Sequence, residues 1–71
     1  MDLLIARGGA RHGFEFKFTD APATTKSMHV AMTDLKLKRL FVVYPGSRRF
    51  ELDDAIVALP LTGLLEECAS L

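Results

Sequence analysis

The residues Leu40-Phe41-Val42-Val43-Tyr44 form an unbroken apolar run, which constrains the fold more than any other part of the sequence. A half-exposed strand alternates apolar and polar residues, whereas a continuously apolar strand is buried on both faces, as in a parallel pair. A helix is predicted upstream of this strand. Its apolar residues recur at i, i+3, i+4 and i+7, at Met28, Ala31, Met32 and Leu35. The sequence therefore predicts a sheet that is covered on both faces.

A second strand is predicted at residues 12–18, before this helix. Phe14, Phe16 and Phe18 alternate there with Glu15 and Lys17, which places the phenylalanines on one face and the charged pair on the other. A strand, a helix and a strand with a connection of this length indicate a right-handed βαβ unit. We expect the phenylalanine face to form the floor of the core.

A β-hairpin is predicted at the N-terminus, because Gly8-Gly9 separates an apolar run at residues 2–6 from this strand. If the loop consists of the two glycines, Leu3 faces Phe14 and Asp2 faces Glu15. Two like charges directly opposite each other destabilise a hairpin. A bound cation, the ammonium group of Lys17 or simple solvation of the chain end would each relieve this repulsion.

The remaining elements complete the order β-β-α-β-β-β-α, a small α/β (α+β) fold with a mixed sheet and two helices. Short strands are predicted at residues 50–52 and 56–59. The first helix is expected to be capped by Thr24, Thr25 or Ser27 and to end near Lys36 and Lys38. The last helix is expected to start near Thr62, as a candidate cap. Its predicted apolar stripe consists of Leu61, Leu64, Leu65 and Cys68, with Leu71 as a candidate last member.

The composition limits the classes of function. The 71 residues suit one small domain, residues 1–71, and a single cysteine, Cys68, allows no intrachain disulfide and suits a reducing cytoplasm. A hydrophobic content of 49% is high for this size and predicts self-association or a partner protein. No apolar run approaches a membrane span. The net charge of zero argues against a general nucleic-acid coat.

Several motifs, taken in order, resemble one family. They are the Leu3-Leu4-Ile5 run after Asp2, the segment at residues 13–17, Thr19-Asp20-Ala21-Pro22, Lys26-Ser27-Met28, residues 40–46 and residues 56–61 with Leu64-Leu65-Glu66. The family is the C-terminal domain of unknown function that follows the ATPase module in many predicted prokaryotic AAA-type ATPases. This resemblance implies a restriction-endonuclease-like fold. The chain has no Gly-x-x-x-x-Gly-Lys-Ser/Thr loop, so it carries no ATP site.

The resemblance also implies a nuclease-like site. The fold is marked by an acid on one strand and Asp/Glu-x-Lys on the next, which match Asp2, Glu15 and Lys17. The two acids would hold Mg²⁺, and the lysine would position a water molecule for attack on a phosphodiester. Arg48 and Arg49 would then contact phosphate, although arginines after a Pro-Gly turn are also typical of a solvated surface.

Two functional hypotheses follow. The first is a metal-dependent nuclease-like domain that cleaves or associates with nucleic acid. The second is a non-catalytic interaction or homo-oligomerisation module that keeps only the fold, in which Glu15 and Lys17 are a solvated neighbouring pair. The helix and strand that precede the first acid in the fold are missing, so we expect a truncated core that exposes a sheet edge and an apolar face. We expect Asp2 to fray at the chain end and the site to be inactive in this fragment.

Overall fold

The computed structural model describes residues 1–71 and contains a five-stranded mixed sheet with a helix against each face. This confirms the predicted fold class and order of elements. The strands are β1 (Leu3–Arg7), β2 (Ala10–Phe16), β3 (Arg39–Tyr44), β4 (Phe50–Asp53) and β5 (Ile56–Pro60). The helices are α1 (Lys26–Asp34) and α2 (Leu64–Ala69), and a 3-10 turn (Leu61–Gly63) precedes α2.

The strand order across the sheet is β1-β2-β3-β5-β4, which places β3 at the centre. It pairs in parallel with β2 on one side and with β5 on the other, while β1 and β4 are antiparallel outer strands. Leu40 through Tyr44 are buried, as the unbroken apolar run predicts. A strand with two parallel neighbours and a helix over each face has no side that reaches water, which explains the lack of polar residues.

The N-terminal hairpin has the predicted register. Leu3 pairs with Phe14 and Ile5 pairs with His12. Both loop residues have positive φ angles, 61° at Gly8 and 80° at Gly9. A two-residue loop needs this left-handed backbone to follow the twist of its strands, and glycine adopts it without a steric penalty.

Two hydrophobic clusters lie on opposite faces of the sheet. On one face Phe14 stacks on Phe41 with their ring centroids 5.0 Å apart, and Leu64 and Cys68 of α2 pack against this cluster. On the other face Met28 of α1 packs over Leu40, Val42, Ile56 and Leu37, with Met32, Leu35 and Leu52 at the margin. The predicted helical stripe from Met28 to Leu35 is therefore confirmed, and Cys68 is half-buried as part of the core margin.

The prediction of a strand through Phe18 is wrong. The strand β2 ends at Phe16, and Phe18 is 93% exposed, so it contributes nothing to the core. The last ladder bond runs from the backbone N–H of Lys17 to the carbonyl oxygen of Val43. Because β3 ends one residue beyond Val43, Phe18 has no neighbouring strand to hold it against the sheet. Alternation predicted the face of Phe18 but could not predict where the pairing stops.

The helix α1 begins where a hydroxyl can cap it. The side chain of Thr25 accepts a hydrogen bond from the backbone N–H of Met28 at 3.3 Å, which confirms one of the three predicted caps. The helix ends at Asp34, earlier than predicted, so no basic residue lies in its last turn. Lys36 adopts a φ of 52° in the connection to β3. The expected interaction of Lys36 and Lys38 with the helix dipole is therefore absent.

The C-terminal helix is shorter than its apolar pattern suggests. Thr62 lies inside the 3-10 turn instead of capping α2, whose N-terminal cap is Gly63 without a side-chain bond. Leu65 is 85% exposed and Leu61 is 50% exposed, so the prediction that they belong to the buried stripe is wrong. Leu64, Cys68 and Leu71 pack against the sheet as predicted. None of the helices is both long enough and apolar enough to cross a membrane.

Candidate metal centre

The three residues of the predicted nuclease-like site lie around the carboxyl end of β2. Asp2 comes directly before β1, and its backbone N–H donates a hydrogen bond to the carbonyl oxygen of Phe14 at 3.1 Å. Leu3 is already the register partner of Phe14, so this bond lies outside the regular ladder, and the predicted pairing of Asp2 with Glu15 is not formed. Lys17 follows β2 by one residue. Asp2 is therefore held near the end of β2 by hydrogen bonds to Phe14 and Phe16, and Glu15 contacts Lys17 directly.

The carboxylate of Asp2 is anchored to the backbone of the neighbouring strand. Its Oδ2 atom accepts a hydrogen bond from the backbone N–H of Phe16 at 2.8 Å, and Oδ1 has no partner in the chain. This bond extends the β1–β2 ladder by a side-chain interaction. Asp2 is therefore held in place at the sheet edge and leaves one oxygen available to a ligand.

The side chains of Glu15 and Lys17 form an ion pair. The Nζ atom of Lys17 lies 3.5 Å from Oε2 of Glu15, and the Lys17 and Glu15 side chains are 43% and 17% exposed, respectively. Glu15 also lies beside the buried Val42 in the sheet, on the face that α1 covers. The ammonium group of Lys17 therefore offsets the negative charge of Glu15.

The donor atoms available here suit a hydrated cation more than an enclosed one. No group of three or more His, Cys, Asp and Glu side chains lies close enough together to hold a metal ion. Mg²⁺ keeps several water ligands and commonly binds proteins through only one or two carboxylates. Asp2 and Glu15 therefore match the oxygen chemistry that Mg²⁺ requires, with water filling the remaining positions.

The two arginines predicted to contact phosphate have partners of their own in the β3–β4 connection. Arg49 pairs through Nε with Oε1 of Glu67 at 3.1 Å, which ties this connection to α2. The guanidinium carbon of Arg48 lies 6.0 Å from the centroid of the Phe50 ring. Its carbonyl oxygen accepts a hydrogen bond from the hydroxyl of Tyr44 at 2.6 Å. Both arginines are exposed, and no bond joins either of them to Asp2, Glu15 or Lys17.

Two separate depressions lie near the carboxyl ends of the parallel strands. The larger, of about 420 Å³, is polar and includes Arg49 and Glu67. The smaller, of about 20 Å³, is mostly apolar and includes Lys17 and Phe18. The two share no lining residue. The larger cavity could not be predicted, because its Arg49–Glu67 pair joins residues that are 18 positions apart.

His12 is a buried polar residue whose environment the sequence indicated only in part. It lies on the phenylalanine face, as the alternation predicts, and its Nδ1 atom is buried without a hydrogen-bond partner. Burial lowers the pKa of the His12 imidazole, and the positive charges of Lys38, Arg39 and Arg7 lower it further. The other histidine, His29, is exposed, and its Nε2 atom lies 3.4 Å from Oδ2 of Asp53.

Comparison with known proteins places the chain in a family. A family model described as "Domain of unknown function (DUF4143)" matches residues 1–64, which is most of the chain. The chain belongs to this family. The match includes Asp2, Glu15, Lys17 and both arginines of the β3–β4 connection, so all of the candidate site residues lie within the DUF4143 domain.

Two mycobacterial proteins are similar to this DUF4143 chain. They are the uncharacterized protein Rv2008c of Mycobacterium tuberculosis and the uncharacterized protein Mb2031c of Mycobacterium bovis, each 45% identical over 65 residues. The similar region covers 92% of this chain but only 15% of either relative. No solved structure matches the chain.

Proposed function

We propose that this DUF4143 domain carries a nuclease-like site. In it, Asp2 and Glu15 hold a hydrated Mg²⁺ ion, and Lys17 positions a water molecule that attacks a phosphodiester. The observation that supports this most is the bond from the backbone N–H of Phe16 to Oδ2 of Asp2, which holds this acid at the end of β2 where Glu15 and Lys17 form an ion pair. A bound Mg²⁺ ion would neutralise charge on a phosphodiester and lower the pKa of a bound water molecule. Lys17 would orient that water, and the Oδ1 atom of Asp2, which has no partner in the chain, would be available as a ligand.

We further propose that the domain has the restriction-endonuclease-like ancestry and the association with AAA-type ATPases that its motifs imply. The mycobacterial relatives are long enough to hold other modules, since the similar region is 15% of their length. The unpaired Cys68 supports a reducing compartment, and we propose the cytoplasm. The activity of a longer family member would then combine nucleotide hydrolysis with action on nucleic acid.

Metal binding tests the proposed site directly. Backbone NMR spectra of the full chain are recorded while MgCl₂ or MnCl₂ is added to millimolar concentration. Shifts with Mg²⁺, and paramagnetic broadening with Mn²⁺, are expected at Asp2, Glu15 and Lys17. The Glu15→Gln variant should lose them, while Glu51→Gln, which removes an exposed acid from the outer strand β4, should keep them. No response at millimolar metal would reject the site in this chain.

The role of Lys17 is tested separately from metal binding. If the site cleaves phosphodiesters, the Lys17→Met variant should retain the Mn²⁺-dependent broadening and lose cleavage of a labelled single-stranded or duplex DNA. Metal binding without any cleavage by the unmodified chain would reject the hydrolytic function. It would leave Asp2 and Glu15 as a cation site.

A second candidate function is a non-catalytic interaction or homo-oligomerisation module. Exposed apolar side chains favour it: Phe18 is 93% exposed, Leu65 is 85% exposed and Leu61 is 50% exposed. Phe18 and Leu61 also line the same small apolar depression. Sedimentation at high protein concentration should then show dimers or larger species, and Phe18→Ser with Leu65→Ser should shift them to monomer. A clean monomer for the unmodified chain would reject self-association.

A further inference from the structure

Five positively charged side chains gather at the end of the sheet opposite the candidate metal centre. We call this set the basic end; it consists of Arg7, Arg11, Lys36, Lys38 and Arg39. It lies where β1 finishes and where β2 and β3 begin. On β2, Arg11 of the basic end and Glu15 are about 13 Å apart along the strand, at roughly 3.3 Å for each residue.

The sheet pairing brings these residues together from three segments of the chain. Arg39 pairs with His12 across β2 and β3, and Arg7 pairs with Ala10 across the hairpin. The backbone N–H of Lys38 donates a hydrogen bond to the carbonyl oxygen of Arg11 at 2.8 Å. The sequence shows only the Lys36-to-Arg39 cluster, so the addition of Arg7 and Arg11 depends on the fold.

None of the five charges is neutralised within the molecule. The structure has three ion pairs, which join Lys17 to Glu15, His29 to Asp53 and Arg49 to Glu67. All five side chains of the basic end are exposed. Asp34 lies close by in the chain, at the end of α1, and makes no ion pair with any of them. A molecule with zero net charge therefore has a strongly asymmetric charge distribution.

The buried His12 lies beside the basic end, since it pairs with Arg39 in the sheet. Its Nδ1 atom is buried and has no hydrogen-bond partner in the molecule. After burial, the next causes that lower the pKa of its imidazole are the charges of Lys38, Arg39 and Arg7. A bound anion would relieve the repulsion among these neighbouring positive charges.

Two of the arginines are held in position by single hydrogen bonds. The Nη1 atom of Arg7 donates to the carbonyl oxygen of Cys68 at 3.3 Å, and that of Arg11 donates to the carbonyl oxygen of Leu35 at 3.2 Å. A guanidinium group has five N–H donors, so each keeps further donors for a ligand. Such fixed, partly free guanidinium groups suit the paired oxygens of a phosphate.

We propose that the basic end is a binding surface for the phosphate backbone of nucleic acid. Its charges come from both sides of the sheet, since Arg7 reaches α2 and Arg11 reaches the end of α1. A repeating polyanion can contact such a spread of charges at several phosphates. A protein partner would instead need buried apolar or aromatic anchors. The most exposed apolar side chains, those of Phe18 and Leu65, are not part of the basic end.

This surface goes beyond the proposed metal site and does not depend on it. The test is therefore made in EDTA, without any divalent cation. Binding of the full chain to a fluorescein-labelled DNA duplex of about 20 base pairs is followed by fluorescence anisotropy at several NaCl concentrations. We expect the logarithm of the binding constant to fall linearly with the logarithm of salt, with a slope of about −3 to −4 for four phosphates.

The variants are chosen so that the fold is not disturbed. Lys38 and Lys36 make no side-chain hydrogen bond or ion pair, and Lys26 on α1 is equally free and lies outside the basic end. Lys38→Gln should weaken binding about threefold or more at low salt and reduce the slope by about 1. The double variant Lys36→Gln with Lys38→Gln should reduce the magnitude of the salt slope by about 2. Lys26→Gln should change the affinity less than twofold.

Three results would overturn the proposal. The first is no binding to duplex or single-stranded DNA at the lowest salt concentration. The second is an equal loss of affinity in Lys26→Gln and Lys38→Gln, which would mean that only net charge matters. The third is equally tight binding of a poly-glutamate peptide of the same charge, which would indicate an acidic protein as the partner. Retained DNA binding with no metal response would reject the metal site alone.

Discussion

The Oδ2 atom of Asp2 lies 2.8 Å from the backbone nitrogen of Phe16 and accepts its hydrogen bond. The first acid of the candidate metal centre is thus also the last connection between β1 and β2. A carboxylate at this position satisfies a backbone donor at the end of the ladder, whether or not a metal ion binds. Its structural and chemical roles can be separated by substitution.

Asp2→Asn should preserve the stability of the fold, because the amide oxygen of asparagine can accept the same hydrogen bond from Phe16. Asp2→Ala should lower the free energy of unfolding by about 0.5–1 kcal/mol, the range for an exposed hydrogen bond. Chemical denaturation of both variants measures the difference. Equal stability of the two variants would mean that the Phe16 bond contributes nothing. Both variants should lose any Mn²⁺ response.

Gly46→Ala should destabilise the fold by roughly 1–3 kcal/mol, the usual cost of inserting atoms into a packed site. A Cβ atom at Gly46 would clash with the Tyr44 ring. The ring cannot easily move away, because the Tyr44 hydroxyl donates a 2.6 Å hydrogen bond to the carbonyl oxygen of Arg48. Thermal unfolding followed by circular dichroism provides the measurement.

The matched control for this substitution is Gly63→Ala. The nearest atom to a Cβ at Gly63 is Cδ1 of Leu59 at 3.6 Å, which is ordinary van der Waals contact. We expect a smaller loss, of up to about 1 kcal/mol, because alanine is a poorer N-terminal cap than glycine but no atom has to move. If the two glycine variants were equally stable, the close packing of the Pro45-Gly46 turn over Tyr44 would be refuted.

Truncation of Phe14 and of Phe18 to alanine should change the stability of the fold by very different amounts. Phe14→Ala should cost about 3–5 kcal/mol, because the side chain is fully buried and stacks on Phe41. Phe18→Ala removes a side chain that is 93% exposed and should change the stability by less than about 0.5 kcal/mol. Urea denaturation of the pair makes the comparison. A large loss for Phe18→Ala would show that Phe18 is covered in solution, for example by a second copy.

The stability of the protein should fall as the pH decreases below about 6.5, the ordinary pKa of histidine. Burial and three nearby cations lower the pKa of His12 in the folded protein, so the unfolded chain binds this proton more tightly. The stabilisation is complete above pH 6.5 and is lost progressively down to the lowered pKa. Denaturation midpoints measured between pH 8 and pH 5.5 test this dependence.

The His12→Gln variant is the control, because glutamine cannot take up a proton in this range. Its stability should depend less on pH than that of the unmodified chain over the same interval. An identical pH dependence of the two proteins would show that His12 is not responsible.

Local sequence patterns predict part of the candidate site. The geometry of the Gly8-Gly9 loop sets the register of the hairpin, which correctly predicts the pairs from Leu3 with Phe14 to Arg7 with Ala10 but not the position of Asp2. The hydrogen bond that the backbone N–H of Phe16 donates to the Asp2 carboxylate was not predictable, because it depends on how the chain end lies against β2. The basic end was not predictable for the same reason: Arg7 and Lys38 are far apart in sequence and meet only through the sheet.

The sequence by itself determined the order of the elements, the burial of β3 on both faces and the helical stripe that begins at Met28. These features follow from the alternation, continuity or helical spacing of neighbouring residues, which local backbone geometry controls. Only the tertiary structure decided that Phe18 is exposed, that Glu67 receives Arg49 and that the five charges of the basic end converge. Each of these depends on where one strand stops beside another, and pairing between distant segments leaves no local periodicity in the chain.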